Sequence, residues 1–163
     1  MTDKSPKYRI SSSPTLEVLV LGYYNHGNLG DEQYKISIKW LLQRALGEVN
    51  PHIRFMDCDQ LKNVEDIVPG TVVCLGGGDV LNTYFLDKLN RIFTLEVKRR
   101  RRYTLLALSV GIPYNDIFLH PAQRTKLEIF DAIFLRTTRD IPILTQYIGK
   151  GRVHYLPDTS CYV

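Results

Sequence analysis

The sequence contains little cysteine, and its cysteines follow no pattern. Only three occur among 163 residues, at Cys58, Cys74 and Cys161. This odd, scattered set excludes a disulfide framework, and the absence of a C-x-x-C pair excludes the usual zinc knuckle. The histidines lack metal-ligand spacing as well. We therefore expect reduced thiols, a cytoplasmic location and no metal centre.

Long hydrophobic runs are also missing. No stretch approaches the ~20 apolar residues that a membrane-spanning helix needs, so no membrane span is expected. The polar first residues do not resemble a signal peptide. Hydrophobic residues make up 44% of the chain and charged residues 23%, which is usual for a globular domain. A chain of this length can therefore form a core without disulfides or metal.

The charge is mildly basic, with a net value of +4, and much of it comes from the run KRRRR at 98–102. Such a run suits nucleic acid, anionic lipid or a phosphorylated substrate. It also suits a solvated helix end, where cations complement the helix dipole. No aromatic residue interrupts the run, and a strand is predicted to follow at once. The helix-end interpretation is favoured, and nucleic acid is not expected as a partner.

Strand and helix patterns alternate along the chain after a polar segment, 1–15, which we expect to be a flexible tail. Short apolar runs predict six strands, at 16–21, 53–56, 71–75, 104–110, 132–135 and 153–156. Helical patterns between them lie at about 36–46, 80–101, 120–130 and 139–148. This order predicts an α/β fold over 16–163, with a doubly wound, mostly parallel, Rossmann-like sheet.

Ligands of such sheets bind beyond the carboxyl ends of the strands. Candidate residues therefore come from the loops that follow predicted strands, at 22–32, 76–82, 111–116, 136–140 and 157–161. Their shared location at one edge of the sheet predicts a single site.

The first loop, GYYNHGNLGDE at 22–32, has three glycines that permit close backbone approach to a ligand. It matches neither the Walker pattern nor G-x-G-x-x-G. Asp31 and Glu32 suit the positive end of a helix dipole, but they also suit acceptance from sugar hydroxyls or proton transfer. His26 is a candidate general acid or base, with a bystander role as the alternative.

The second loop contains a glycine triplet at 76–78, followed by Asp79. Its amides suit an anion, and a tight turn that packs a helix against the sheet is the alternative. Asp79 is the predicted N-cap and a candidate ligand contact, and Asn82 and Tyr84 are weaker candidates.

Two arginines occupy the fourth loop. Arg136 ends a predicted strand and Arg139 begins a predicted helix, so either is placed to grip a phosphate or carboxylate bidentately. The alternative interpretation, of equal weight, is that Arg139 and Asp140 form a structural ion pair instead of binding a ligand. Asp158 follows the last predicted strand.

Several of these segments together resemble polysaccharide pyruvyl transferases. Residues 22–32 resemble the signature G-y-x-x-x-x-N-x-G-D-E of that family, and 75–81 resemble its L-G-G-G-x-L segment. Residues 109–113 resemble its G-[IV]-G-P turn without the second glycine. Arg139-Asp140 resembles its R-D-x-x-S element, with Ile143 at the serine position. Asp158 resembles the family's aspartate after the next strand, and the similarity extends from about residue 17 to this residue.

The resemblance implies a two-lobed, glycosyltransferase-B-like enzyme that transfers a pyruvyl group from phosphoenolpyruvate to two sugar hydroxyls, making a ketal. It implies no cofactor besides that donor substrate. The acceptor would be a saccharide or a lipid- or nucleotide-linked sugar. This chain would be the acceptor-facing amino-terminal lobe and inactive alone, with a second lobe or further copies as partners. The implied catalytic residues are His26, Asp31 and Glu32. The implied substrate-binding residues are Gly22, Asn28, Gly30, Gly76, Gly77, Gly78, Asp79, Arg136, Arg139 and Asp158.

Two other functions remain open at this stage. Sugar transferases that use nucleotide sugars share the two-lobed architecture, and a fold does not determine a function. A non-catalytic module that binds saccharide or protein is the other alternative, which the two departures from the family pattern favour. A complete small domain is the alternative to a lobe of a longer enzyme.

Overall fold

The computed structural model describes residues 15–113 and 121–159. Its six strands are β1 (Glu17–Gly22), β2 (His52–Asp57), β3 (Val72–Gly76), β4 (Thr104–Val110), β5 (Ala132–Leu135) and β6 (Val153–Tyr155). They form one sheet in the order β2-β1-β3-β4-β5-β6, and every neighbouring pair is parallel. The predicted α/β, Rossmann-like fold is confirmed, and the described sheet is parallel throughout.

Five α-helices connect the strands in the described ranges: α1 (Leu29–Leu46), α2 (Thr83–Ile92), α3 (Leu95–Arg101), α4 (Pro121–Thr125) and α5 (Ile141–Ile148). The α1 helix begins where the Asn28 side chain accepts a hydrogen bond from the Gly30 amide, and it ends at Gly47, whose φ is +53°. Within these ranges, no helix has the length and hydrophobicity needed to cross a lipid bilayer.

The strands are buried on both faces, and for this reason their sequences are continuous apolar runs. On one face, side chains of β1 and β3 such as Val20 and Cys74 pack against Ile38 and Leu42 of α1. The opposite face packs against α2, α5 and the segments that precede β3 and β5. Helices on both faces make the sheet doubly wound.

The order of the strands reverses between β1 and β3. From β1 the chain turns to β2 on one side, whereas β3 to β6 follow one another on the other side. Right-handed crossovers then place α1 and α2 on opposite faces, so the loops after β1 and β3 diverge. This divergence opens a crevice at the carboxyl edge of the sheet.

The long helix predicted at 80–101 is wrong, because two helices occupy that range. The chain leaves helical geometry at Phe93, whose side chain is fully buried, and the Thr94 side chain caps α3 by accepting from the amide three residues on. Asp79 is not the N-cap of α2. Asn82 holds that position and accepts from the amide three residues on, which leaves Asp79 in the preceding loop.

Other predicted boundaries differ by less. The helix predicted at 120–130 is α4 followed by a 3₁₀ turn, Lys126–Ile129, and the one predicted from Arg139 begins at Ile141. The predicted tail lies outside the described residues except for Thr15, as do His120, the loop residues 114–116 and 160–161, and Cys161.

The basic run lies in the last turn of α3 and just after it, as the helix-end interpretation predicts. Lys98 turns inward: its Nζ lies 2.8 Å from the Asp131 carboxylate and donates to the Ile129 carbonyl. Arg101 pairs with Glu65 at 3.3 Å. The run therefore joins α3 to the segment before β5.

Candidate functional site

A cavity of about 570 Å³ opens at the carboxyl edge of the sheet, where the loops after β1, β3, β5 and β6 meet. Its walls combine carboxylates, one guanidinium, amides and aromatic rings. The lining residues are Tyr23, Asn28, Gly30, Asp31, Tyr34, Gly78, Asp79, Val80, Asn82, Tyr84, Phe85, Arg136 and Asp158.

Arg136 joins the loops on one side of this cavity. Its guanidinium lies 2.6 Å from an Asp79 carboxylate oxygen and 3.4 Å from one of Asp158. Burial alone would lower the pKa of Arg136, but Asp79, Tyr34 and Asp158 outweigh burial and raise it. The guanidinium therefore stays charged and links three strand ends.

Gly111 makes room for that ion pair. A Cβ at this position would lie 2.0 Å from the Asp79 carboxylate and 2.7 Å from Arg136 Nε. The Gly111 amide donates to the Gly78 carbonyl at 2.8 Å, which brings the loop after β4 against the loop after β3. A larger residue would displace one partner of the pair.

Asp31 and Glu32 are neighbours in the first turn of α1, but their environments differ. Burial and Glu32 raise the pKa of Asp31, against the lowering effects of Asn28 and of a charged His26. Glu32 is bonded to Lys35 at 2.6 Å and accepts from the Asn25 amide, and both contacts lower its pKa. Of the two, only Asp31 faces the cavity, and its raised pKa suits proton transfer.

Tyr34 lines the cavity from α1. Its hydroxyl donates to the Ser109 carbonyl at 2.9 Å and lies 3.0 Å from the Ser109 hydroxyl, and burial raises its pKa. Ser109 sits near an irregularity in the pairing of β4 with β5, with a φ of +52°. The Ser109 hydroxyl bonds in turn to the Pro157 carbonyl, so this small network connects α1, β4 and the loop after β6.

The glycine triplet is divided between packing and the cavity. A Cβ on Gly76 would lie 3.0 Å from Val20, and one on Gly77 would lie 2.7 Å from the Tyr34 ring. Only Gly78 lines the cavity. Gly22 also serves packing, since its Cβ would lie 2.5 Å from the Tyr24 ring.

His26 lies beside the cavity rather than in its wall. Its Nε2 is 2.8 Å from a carboxylate oxygen of Asp57, the last residue of β2. Its ring stacks on that of Tyr23, with centroids 3.7 Å apart and planes 4° from parallel. Because Tyr23 lines the cavity, His26 stands at the rim.

Arg139 is held by its neighbour, as the structural reading of that loop anticipated. Its guanidinium makes two hydrogen bonds of 2.9 Å to the buried Asp140 carboxylate. Both residues line a smaller cavity of about 250 Å³ that shares Asp79 and Arg136 with the main one.

The structure thus brings together seven of the thirteen predicted site residues: Asn28, Gly30, Asp31, Gly78, Asp79, Arg136 and Asp158 line one cavity. The other six lie outside its wall, at Gly22, His26, Glu32, Gly76, Gly77 and Arg139. The weaker candidates Asn82 and Tyr84 do line it.

Four residues of the cavity wall were not predicted: Tyr23, Tyr34, Val80 and Phe85. Asp57, which binds His26 beside the cavity, was not predicted either. Tyr23 directly follows a strand, so its position is a signal that could have found it. Asp57 directly follows the strand predicted at 53–56, so its position is a similar signal, but the candidate loops did not include the one after that strand. Tyr34 lies within a helix and bonds to a residue 75 positions away, and no local pattern predicts such a contact.

The part of the chain that the structure describes has no group of three or more His, Cys, Asp or Glu side chains arranged to hold a metal ion. Comparison of the chain with protein-family models, with curated proteins and with solved structures gave no match. The function of this chain is therefore inferred from the site itself.

Proposed function

We propose that this chain is the acceptor-facing lobe of a polysaccharide pyruvyl transferase, which makes a pyruvate ketal on a sugar from phosphoenolpyruvate. The observation that carries the proposal is the convergence of residues from separate segments of the resemblance. Asn28 and Asp31, Gly78, and Asp158 come from three such segments and line one cavity.

The charge of the cavity favours the sugar acceptor over the donor. Three carboxylates, those of Asp31, Asp79 and Asp158, face one guanidinium, that of Arg136. Phosphoenolpyruvate carries a phosphate and a carboxylate, which this excess of negative charge would repel. Sugar hydroxyls are hydrogen-bond donors, and carboxylates are acceptors only. The same excess disfavours the diphosphate of a nucleotide sugar.

Aromatic rings in the wall suit the apolar face of a sugar. Tyr23 is 44% exposed and Tyr84 51% exposed, so each offers a flat surface to a ligand. The Tyr84 hydroxyl donates to the Asp59 carboxylate, which also binds Lys88 at 2.6 Å. These bonds hold the Tyr84 ring in a defined orientation.

In the proposed reaction an acid protonates the methylene carbon of phosphoenolpyruvate, and a sugar hydroxyl adds to the resulting oxocarbenium carbon. Phosphate then leaves, and a second hydroxyl closes the ketal ring. Both hydroxyls lose a proton, so the acceptor side needs basic groups. The Asp31 carboxylate accepts a hydrogen bond from one hydroxyl and takes its proton as the new C–O bond forms. The cationic groups that would bind the donor belong, by the resemblance, to a second lobe.

Amide NMR titration of this chain tests the proposal, using methyl galactoside, methyl mannoside, phosphoenolpyruvate and a nucleotide sugar as probes. A saccharide should shift amides at 28–31 and 78–82, whereas phosphoenolpyruvate should not. Asp31→Asn should weaken saccharide binding about tenfold, since a neutral amide oxygen replaces the charged acceptor of one hydrogen bond. Glu32→Gln is the matched control and should bind normally, because Glu32 lies outside the cavity.

The other outcomes contradict the proposal in different ways. Shifts with the nucleotide sugar alone would indicate a glycosyltransferase lobe. An equal loss of binding in both variants would show that the wall of the cavity is not the binding surface. A chain that binds none of the small-molecule probes would fit the non-catalytic alternative.

A further inference from the structure

Asp57 is a buried carboxylate that the proposed function does not use. Its side chain is only 6% exposed at the carboxyl end of β2. The carboxylate accepts from the Tyr24 amide at 3.0 Å and from the Asp59 amide at 2.7 Å. These two bonds hold it in place, and its third partner is the imidazole of His26 at 2.8 Å.

The loop after β1 presents His26 to this carboxylate. Asn25 and Gly27, on either side of it, have φ values of +67° and +75°, and the backbone bends at the histidine. The Asn25 amide donates to Glu32, which ties the loop to α1. The His26 side chain stays 38% exposed, although Nε2 is committed to Asp57 and one ring face to Tyr23.

His26 also stands near the carboxyl that faces the cavity. Burial and Glu32 raise the pKa of Asp31, and a charged His26 is among the groups that lower it. A charge on the imidazole therefore lowers the pKa of Asp31, which lines the cavity. The Tyr23 ring, stacked on His26, forms part of the same wall.

We propose that Asp57 is a positioning residue for His26, and that His26 is the base for one of the two acceptor hydroxyls. This inference rests on the proposed function. Asp57 accepts the Nε2–H proton, which leaves Nδ1 of the neutral imidazole as the proton acceptor at the rim of the cavity. A histidine held by a buried aspartate in this way has a defined tautomer, and the carboxylate stabilises the imidazolium that forms.

One of the two hydroxyl protons goes to His26 in the proposed reaction. The hydroxyl oxygen forms its bond to the oxocarbenium carbon with one of its lone pairs. Its O–H bond breaks, and the proton moves to Nδ1 of His26. The resulting imidazolium keeps its Nε2–H bond to the Asp57 carboxylate, and Asp57 itself is not protonated.

NMR of the ¹⁵N-labelled chain, at a pH where the imidazole is neutral, tests the position of the proton. In the wild type we expect a His26 Nε2–H proton that is shifted downfield and slow to exchange, with Nδ1 unprotonated. Asp57→Asn should abolish the downfield shift. Asp59→Asn is the matched control, since Asp59 lies two residues after Asp57 and its carboxylate binds Lys88 and Tyr84 rather than His26.

The wild-type spectrum decides the positioning role even where a variant fails to fold. A proton on Nδ1 instead of Nε2, or a signal that survives in Asp57→Asn, would overturn it. The saccharide titration separates this proposal from the proposed function. If saccharide binds without shifting the His26 ring resonances, His26 is not the base, and the proposal that the chain is an acceptor-facing lobe is unaffected. Absence of saccharide binding would overturn both.

Discussion

At the scale of single residues, the surroundings of Asp31 and Glu32 shift the pKa values of these two carboxyls in opposite directions. Burial raises the pKa of Asp31, and Lys35 lowers that of Glu32. The ionised form of Asp31 therefore costs folding free energy at neutral pH, and that cost disappears as the pH falls through its raised pKa towards the unfolded value. For Glu32 the sign reverses: its stabilisation is present at neutral pH and is lost on acidification.

We predict that Asp31→Asn raises the free energy of unfolding at pH 7 by a few tenths of a kcal/mol, since the carboxyl is only partly buried and solvent screens it. The gain should vanish near pH 3.5, roughly below the unfolded pKa of aspartate. Urea denaturation at the two pH values measures it. Glu32→Gln should lower stability at pH 7 instead. The same difference at both pH values for Asp31→Asn would contradict the assigned environment.

A second prediction at this scale concerns Gly77, which has a φ of +85° and where a Cβ would lie 2.7 Å from the Tyr34 ring. Gly77→Ala should cost about 3 kcal/mol, from left-handed strain plus the clash. Gly70→Ala is the control, because Gly70 has a φ of +83° and open space around it, and it should cost about 1 kcal/mol. Denaturant unfolding measures both, and equal losses would mean that the Tyr34 ring gives way.

At the scale of elements, the basic run at the end of α3 connects this helix to neighbouring segments of the chain through two ion pairs. Lys98 is nearly buried and contacts Asp131, whereas Arg101 and Glu65 form an exposed pair. The Asp131 carboxylate also accepts from the Leu105 amide at 2.7 Å. One carboxylate thus fastens α3 and β4 to the start of β5.

We predict that Asp131→Asn destabilises the protein by about 1–3 kcal/mol, because it leaves the Lys98 ammonium buried without its counter-charge. The exposed pair supplies the comparison: Glu65→Gln should change stability by less than about 0.5 kcal/mol. Thermal or urea unfolding of the two variants gives the values. Similar small losses in both would show that solvent reaches Lys98.

At the scale of the whole molecule, the reactivity of the two cysteines in the described residues measures global unfolding. Cys58 and Cys74 are buried, and burial raises the pKa of each thiol to about 12. Thiolate is the reactive form, so neither should react in the folded protein at pH 8. In a Cys161→Ser background, we predict that alkylation of both follows the unfolding transition in urea. Rapid labelling of Cys74 without denaturant would contradict a closed core beneath α1.

Much of the architecture could be predicted, because apolar runs of strand length alternate with helical patterns. Each predicted strand lies within one residue of its observed bounds at either end. The break at Phe93 and Thr94 was not predicted, because the apolar Phe93 continues the helical spacing of α2. A threonine within a helical pattern does not by itself indicate that a new helix begins there.

The composition of the site's edge was determined by the sequence, because parallel strands bring their carboxyl ends together and Asp31, Asp79, Arg136 and Asp158 each lie shortly after a strand. Tertiary structure decided which of these loop residues share the cavity and which pair elsewhere. Successive residues of a helix point about 100° apart, so Asp31 faces the cavity while Glu32 turns to Lys35. The contact between His26 and Asp57 depends on the parallel pairing of β1 with β2, and no local pattern contains it.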